Sequence, residues 1–339
     1  MFDRHQPLMG FYRDNVALPS EQRTNMRDRR NTNRKRLKDG LAAEGHPKPF
    51  GCHTQGSYAM RTMVQDAQND YDIDDGVYFD KEKLVGPNGG ERSSTAIKQM
   101  VCEALQDDRF ATPPEIHTNC VRVYYNEGYH VDVPAYRRSY DAWGNATFEL
   151  ASTKWKASDP LAVTKWFKGH NKDRSPDLLN DGQLCRIVKY MKMFGRSRPS
   201  WKGQMASGFM MSVLVIEVYN ANAGREDECL RNTMQEIYYR LLGNLEISHP
   251  ILPEKLTKSA DDAKSRFLRD KLEWALKQLE VLDDWDCTED EANAAWNTVF
   301  NTDYFVKGPD ESLKSPPILK SSTDSPNRPV DPRGGGRYG

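Results

Sequence analysis

Residues 71–79 read Tyr71-Asp72-Ile73-Asp74-Asp75-Gly76-Val77-Tyr78-Phe79, a start that alternates polar and apolar residues and then runs apolar. Alternation of this kind predicts a strand with one face toward a core. Successive side chains on a strand point to opposite faces, so Asp72 and Asp74 share one face and Asp75 takes the other. Two bare carboxylates that close repel each other, and ionising both is costly unless a cation sits between them. Hard divalent ions such as Mg²⁺ take oxygen ligands, so the pair reads as a candidate site for one or two of them.

Working outward, a third carboxylate lies in His130-Val131-Asp132-Val133-Pro134, where Val131 and Val133 face the core and Asp132 the other side. If the two strands are neighbours, all three carboxylates converge. Two metal ions about 4 Å apart can then activate an attacking hydroxyl and stabilise a leaving pyrophosphate. Upstream, Gln55-Gly56-Ser57 supplies a glycine that permits close backbone approach to a phosphate, beside a hydroxyl donor. A helix starting just after Ser57 would add the favourable charge of its N-terminus. Asp-x-Asp alone occurs in many surface turns, and Gly-Ser alone is weaker still. It is the combination, with a third Asp in a later strand, that favours a site.

The rest of the chain supplies a frame. Residues Ser20 to Ala43 predict a long, mostly solvated helix, capped by Ser20 and weakened by Gly40. Its basic stretch from Arg27 to Lys38 reads as a surface face before it reads as a nucleic-acid site. Val121 to Tyr136 predicts two strands around a turn at Asn126-Glu127-Gly128, and Glu91 to Leu105 a helix. From Pro160 onward the pattern is helical. Asp177 to Gly195 is one amphipathic helix stopped by Gly195, with Arg186, Lys189 and Lys192 forming a basic stripe off its apolar face. Gly208 to Asn220 is apolar nearly all round and predicts a buried helix capped by Ser207, and Asp262 to Leu282 a long amphipathic one. After Lys307 the sequence is rich in Pro, Gly and Ser and reads as a flexible tail.

Composition narrows the class. With 48 basic against 49 acidic residues there is no global positive field for long nucleic acid. The six cysteines never fall in a C-x-x-C pair, which argues against structural zinc and a disulfide scaffold. No run nears the roughly 18 apolar residues of a membrane helix, and the N-terminus lacks a signal-peptide core, so the expectation is a cytoplasmic protein.

Taken together, Gln-Gly-Ser, the Asp-Ile-Asp beginning fifteen residues beyond Ser57, and Tyr-His-Val-Asp-Val-Pro-Ala-Tyr at 129–136 resemble the cGAS/DncV-like nucleotidyltransferases, the CD-NTases. The likeness continues in RIVKYMKMF (186–194), SGFMMSVLV (207–215) and WNTVFNTDYF (296–305), and covers about residues 20 to 306. It implies an α/β (α+β) fold of two lobes. A mixed-sheet catalytic lobe with the N-terminal helix spans 1–158, a helical lobe closing the nucleotide cleft spans 159–307, and the tail spans 308–339. It implies Mg²⁺, two ions with Mn²⁺ as a substitute, held by Asp72, Asp74 and Asp132. It implies a donor nucleotide lined by Gln55, Gly56 and Ser57, with its triphosphate on Lys189 and Ser207. Arg186 is a further candidate there, against a solvated stripe as the plain alternative. Met60 and Tyr58 near the donor loop are equally plausible as packing residues.

The activity implied is the joining of NTPs, ATP among them and GTP as a candidate, into a cyclic di- or trinucleotide second messenger with release of pyrophosphate. Many bacterial relatives serve antiphage systems of the CBASS type. Those with an E1/E2-like fusion protein end in a glycine that the fusion links to a target, and Arg333-Gly334-Gly335-Gly336-Arg337-Tyr338-Gly339 is such an ending. The alternatives are linear oligoadenylate synthesis, transfer of a single nucleotide, or a non-catalytic nucleotide-binding module displayed by its tail. No inserted Cys/His cluster for docking duplex DNA is present, and no membrane partner is expected.

Overall fold

The computed structural model describes residues 1–66, 71–86, 88–109, 111–125 and 128–308. The tail with Gly339 lies outside them, as do Asn126 and Glu127 of the predicted turn. Strands run in the order β1 (Gly51–Thr54), β2 (Asp72–Asp80), β3 (Glu115–Ile116), β4 (Val121–Tyr124), β5 (His130–Val133), β6 (Ala135–Tyr140), β7 (Ala146–Ala151) and β8 (Trp155–Ala157). Helices are α1 (His5–Phe11), α2 (Ser20–Ala43), α3 (Gly56–Ala59), α4 (Ser94–Ala104), α5 (Pro160–Arg174), α6 (Gln183–Arg196), α7 (Gly208–Val218), α8 (Glu226–Gly243), α9 (Ala263–Gln278), α10 (Glu289–Phe300) and α11 (Tyr304–Lys307).

The chain divides into two compact units. One holds residues 17–189 and 247–258, and the other 1–16, 190–246 and 259 onward. The division differs from a boundary after residue 158. The first turns of the chain belong with the helices, where Tyr190 Oη donates to the Leu8 carbonyl at 2.8 Å. Helix α5 and the first half of α6 belong with the sheet unit.

That unit is built on an eight-stranded mixed sheet, counted among the described residues. Strand β2 is its centre: β1 pairs with it antiparallel, and β5 and β6 pair with it parallel. The register is unbroken across Pro134, with Asp74 opposite Asp132 and Val77 opposite Ala135. Proline has no N–H for the ladder. Its carbonyl still accepts from Val77 N at 2.9 Å, so β5 and β6 act as one rail interrupted once.

The pleat sorts the residues of β2. Ile73, Val77 and Phe79 enter a core with Val121, Val123, Val131 and Val133 from the neighbouring strands. Met26, Leu37 and Leu41 of α2 and Ile97 and Val101 of α4 cover this face. Each such side chain stabilises by roughly 1.5–3 kcal/mol when fully buried, so the register of β2 is strongly fixed. Asp75 points the same way and is 4% exposed. Arg34 of α2 meets it with two hydrogen bonds, 2.7 and 2.5 Å, and so compensates a charge that the apolar face would otherwise exclude.

Three local expectations are corrected. Ser20 is the first helical residue of α2 rather than its cap, which is Pro19. Helix α6 begins at Gln183, not Asp177, because Asn180, Asp181 and Gly182 all have positive φ, and it passes through Gly195 to Arg196. Gly40 is not simply a weak point. A Cβ there would overlap the backbone of Ala104 at the end of α4, so the missing side chain lets α2 and α4 close on each other. Ser207 does cap α7, accepting from Met210 N at 3.2 Å.

This contact reverses the usual sign of a helical Gly→Ala change. Replacing Gly by Ala within a helix ordinarily stabilises by about 1 kcal/mol. Gly40→Ala is expected instead to destabilise by roughly 1–3 kcal/mol, as overpacking does. Urea unfolding of the variant beside the parent protein reads the sign directly.

Candidate active site

The face of the sheet away from the α2/α4 core carries the carboxylates. Asp72 and Asp74 alternate with the core residues Ile73 and Asp75 on β2, and Asp132 stands opposite Asp74 on β5. All three therefore share one face, and Asp74 registers the crowding. Its carboxyl is held well above the usual carboxylate range, first by loss of water and then by the Asp132 and Asp72 charges, with Arg122 opposing. Two unit charges roughly 5 Å apart at an effective dielectric constant near 20 repel by about 3 kcal/mol, so a cation among the three carboxylates would relieve a substantial repulsion.

Two protein groups answer part of this charge. Arg122 sits opposite Asp132 in the antiparallel β4–β5 pair and donates to both its oxygens, Nε at 2.7 Å and Nη2 at 2.8 Å. Both side chains are buried. His130 Nε2 lies against Asp72 Oδ1. With these groups engaged, no three ligating side chains among the described residues are already closed into a metal cage. The donor set nevertheless suits a hard dication. Its atoms are carboxylate oxygens, they lie on one face of adjacent strands, and the unrelieved repulsion falls on Asp74, the central one. Such an ion would share Asp132 with Arg122 and Asp72 with His130.

The Gly-Ser turn is built against the same carboxylate. Gly56 has φ +63°, and a Cβ on it would overlap Asp74 Oδ2. Glycine is therefore required twice, by conformation and by contact. Gln55 N donates to the Asp74 carbonyl at 3.0 Å, fixing the turn to β2. The Gln55 side chain is 5% exposed, donating to Tyr136 Oη at 2.8 Å and accepting from Tyr78 Oη at 3.2 Å. Its amide thus positions the turn. Ser57 is the second residue of α3, which starts at Gly56 and lasts one turn, too short for the dipole expected of a helix beginning beyond it. Met60 is buried, and half-buried Tyr58 packs against the core while bordering a cavity with Arg23 and Arg61.

The basic residues are engaged as well. Lys189 is fully buried, its Nζ 3.0 Å from Asp181 Oδ2. Arg186 is 3% exposed and donates to both oxygens of Asp177 at 2.9 Å and to the Leu179 carbonyl at 2.6 Å. Ser207 belongs to the other unit, where it caps α7. Sequence reasoning missed Arg122, yet the signal was there. Counting back from the 126–128 turn across an antiparallel pair brings Arg122 opposite Asp132. It also missed Asp181, for which an Asn-Asp-Gly run before a helix says only that the chain turns.

Gly56 yields a sharp expectation. Gly56→Ala should push the Asp74 carboxylate aside, and a displacement near 1 Å at reacting groups costs about 100-fold in turnover. The variant should unfold close to the parent's temperature, because the strain is confined to one turn. Turnover at saturating nucleotide, measured beside a thermal melt, checks both halves.

Residues 51–136 match the family model described as cyclic GMP-AMP synthase DncV-like, nucleotidyltransferase domain. Among solved structures, Vibrio cholerae DncV in its 3′-deoxy ATP bound form is similar over 88% of this chain and 95% of its own, at 16% identity and a TM-score of 0.70. A Vibrio cholerae DncV mutant in complex with ATP, GTP and 5MTHFGLU2 matches over 87% and 94%, at 17% identity and a TM-score of 0.67. CdnC from E. coli MS115-1, in complex with a HORMA protein, matches over 89% and 98%, at 15% identity and a TM-score of 0.66. These likenesses give the fold over most of the chain, and the family model spans the strands that carry Asp72, Asp74 and Asp132. Residues 51–136 of this chain thus match a DncV-like nucleotidyltransferase domain.

Proposed function

We propose that this nucleotidyltransferase is a cyclic oligonucleotide synthase that joins NTPs, ATP among them, into a cyclic di- or trinucleotide in a Mg²⁺-dependent reaction. The observation that carries the reading is the shared face of Asp72, Asp74 and Asp132, with the Gly56 backbone against Asp74. The ligands of the DncV structures, 3′-deoxy ATP in one and ATP with GTP in another, support a site that takes purine nucleotides. Bound there, Mg²⁺ would supply Lewis-acid stabilisation of the phosphate charge and lower the pKa of the attacking hydroxyl.

The chain's own residues divide the remaining work. Asp72, Asp74 and Asp132 are the ligands for the ions. The Ser57 hydroxyl and the Lys189 ammonium hold the donor's β- and γ-phosphates, with Arg186 as a further contact. The 2′- or 3′-hydroxyl of a second nucleotide attacks the α-phosphorus as the bond to the β-phosphate oxygen breaks, and pyrophosphate leaves with that oxygen. Asp132, on the attacking side, accepts the hydroxyl proton. A second round of the same displacement closes the ring. A role in antiphage defence, with an E1/E2-like fusion protein acting on Gly339, belongs to the same proposal and rests on the family resemblance and the Gly-rich tail.

The test uses purified protein, Mg²⁺ and four NTPs, each labelled in turn at the α-phosphate. A phosphatase-resistant product is expected, reduced roughly 1,000-fold or more when Asp72→Ala and Asp74→Ala are combined, since several kcal/mol of charge stabilisation go with the ions. Phosphatase-sensitive chains would instead mean linear synthesis, and label lost to a single acceptor would mean one-step transfer.

A further inference from the structure

We infer that the first residues of the C-terminal tail, Pro309-Asp310-Glu311-Ser312-Leu313, fold back onto a patch of rings and cations made by Arg198, Trp201, Phe267, Lys271 and Trp274. All five belong to the same compact unit as the tail, and nothing in the contact depends on the synthase reading.

Two cations mark the patch. The Arg198 guanidinium lies between two indoles, 4.7 Å from the Trp201 ring centroid and 4.6 Å from that of Trp274. Its Nη1 donates to the Val299 carbonyl at 3.1 Å and its Nη2 to the Thr298 carbonyl, so it caps the C-terminal end of α10. Lys271 Nζ stands 5.0 Å from the Phe267 ring centroid and 5.6 Å from that of Trp201. Phe267, Lys271 and Trp274 recur at helical spacing, share one face of α9 and are each half-buried. Elsewhere on α9, Arg266, Arg269 and Lys277 each meet a carboxylate. Arg198 and Lys271 meet none among the described residues; their partners are rings and carbonyls. Burial lowers the Arg198 guanidinium from its ordinary pKa, with no anion acting against it. The patch therefore offers two positive charges over an aromatic floor, a surface for a chain that carries carboxylates beside an apolar side chain.

The tail supplies that complement and starts close by. Phe305 N of α11 donates to Asn297 Oδ1 at 3.0 Å, which ties α11 to the last turn of α10, beside the carbonyls that Arg198 caps. Helix α11 ends at Gly308, whose φ of +74° is open to glycine at little cost. Three residues of chain span at most about 11 Å, so Gly308 lies within that distance of Phe305. Asp310 and Glu311 follow two and three residues later and match the two cations, while Leu313 suits the uncovered parts of Phe267 and Trp274. Five extended residues reach roughly 17 Å, enough to run along the roughly 10 Å of α9 between Phe267 and Trp274. So short a tether keeps the segment at an effective concentration on the order of millimolar, and contacts too weak to hold a free peptide suffice. Docked there, the segment moves the origin of the glycine-rich stretch 334–336 from α11 to the face of α9.

Amide hydrogen exchange on the full chain reads the contact. Residues 310–313 are expected to exchange about tenfold more slowly than the same sequence in a free peptide under identical conditions. Asp310→Lys combined with Glu311→Lys should return them to the peptide rate, and so should Lys271→Glu. Joining the tail reversal to Lys271→Glu should bring part of the protection back, because a charge pair is then exchanged and not removed. Added salt should weaken the protection of the parent, since the pairs are half-exposed. Exchange at the peptide rate in the parent overturns the inference, as does protection that survives the tail reversal. Protection that grows with protein concentration overturns it too, since a second copy would then be the partner. Should Lys271→Glu fail to fold, the tail reversal decides alone, because it alters no residue of a helix.

Discussion

The pleat of β2 against β5 is the constraint on which the rest of this protein depends. An unbroken parallel register brings Asp74 opposite Asp132 and sends Ile73, Val77, Val131 and Val133 to the far side. The core that α2 and α4 bury against that far side is what prevents a slip by one residue. The same slip would carry the carboxylates into the core and the valines into the site. Hydrophobic burial on one face therefore enforces electrostatic repulsion on the other.

That repulsion is handled by layers of compensation. Asp75, the one β2 carboxylate on the apolar side, is paired with Arg34. Asp132 is paired with Arg122 and Asp72 lies against His130, while Asp74 is left with its carboxyl held high. Farther out, Asp181 satisfies Lys189 and Asp177 satisfies Arg186. Apart from Asp74, each of these buried or half-buried charges has a partner within the protein. Such pairing lets a site dense in charge fold before its ligands arrive, since an unpaired buried charge costs several kcal/mol.

Much of the sheet and its site was legible in the sequence because strands carry a period of two. Asp72, Asp74 and Asp132 follow from alternation once Ile73, Val131 and Val133 are taken as core, and the structure has them on one face as expected. The cap at Ser207 and the span of α2 were equally readable from local chemistry. What escaped was non-local. Nothing near Gly40 announces the Ala104 backbone against it, and nothing near Lys189 announces an aspartate eight residues earlier folded back by two positive-φ residues. Basic residues on a helix face look alike in sequence whether they meet solvent, phosphate or a carboxylate. Only the fold distinguishes them.

The central claim is that Asp72, Asp74 and Asp132 form a metal site for nucleotide chemistry. Its most direct test is anomalous diffraction from crystals grown with Mn²⁺ and a non-hydrolysable ATP analogue. The account predicts Mn²⁺ peaks within bonding distance of Asp72 and Asp74, with Asp132 sharing at least one ion and Arg122 drawn back from it. Nucleotide bound with no Mn²⁺ at these carboxylates, and the Arg122–Asp132 pair intact, would contradict it.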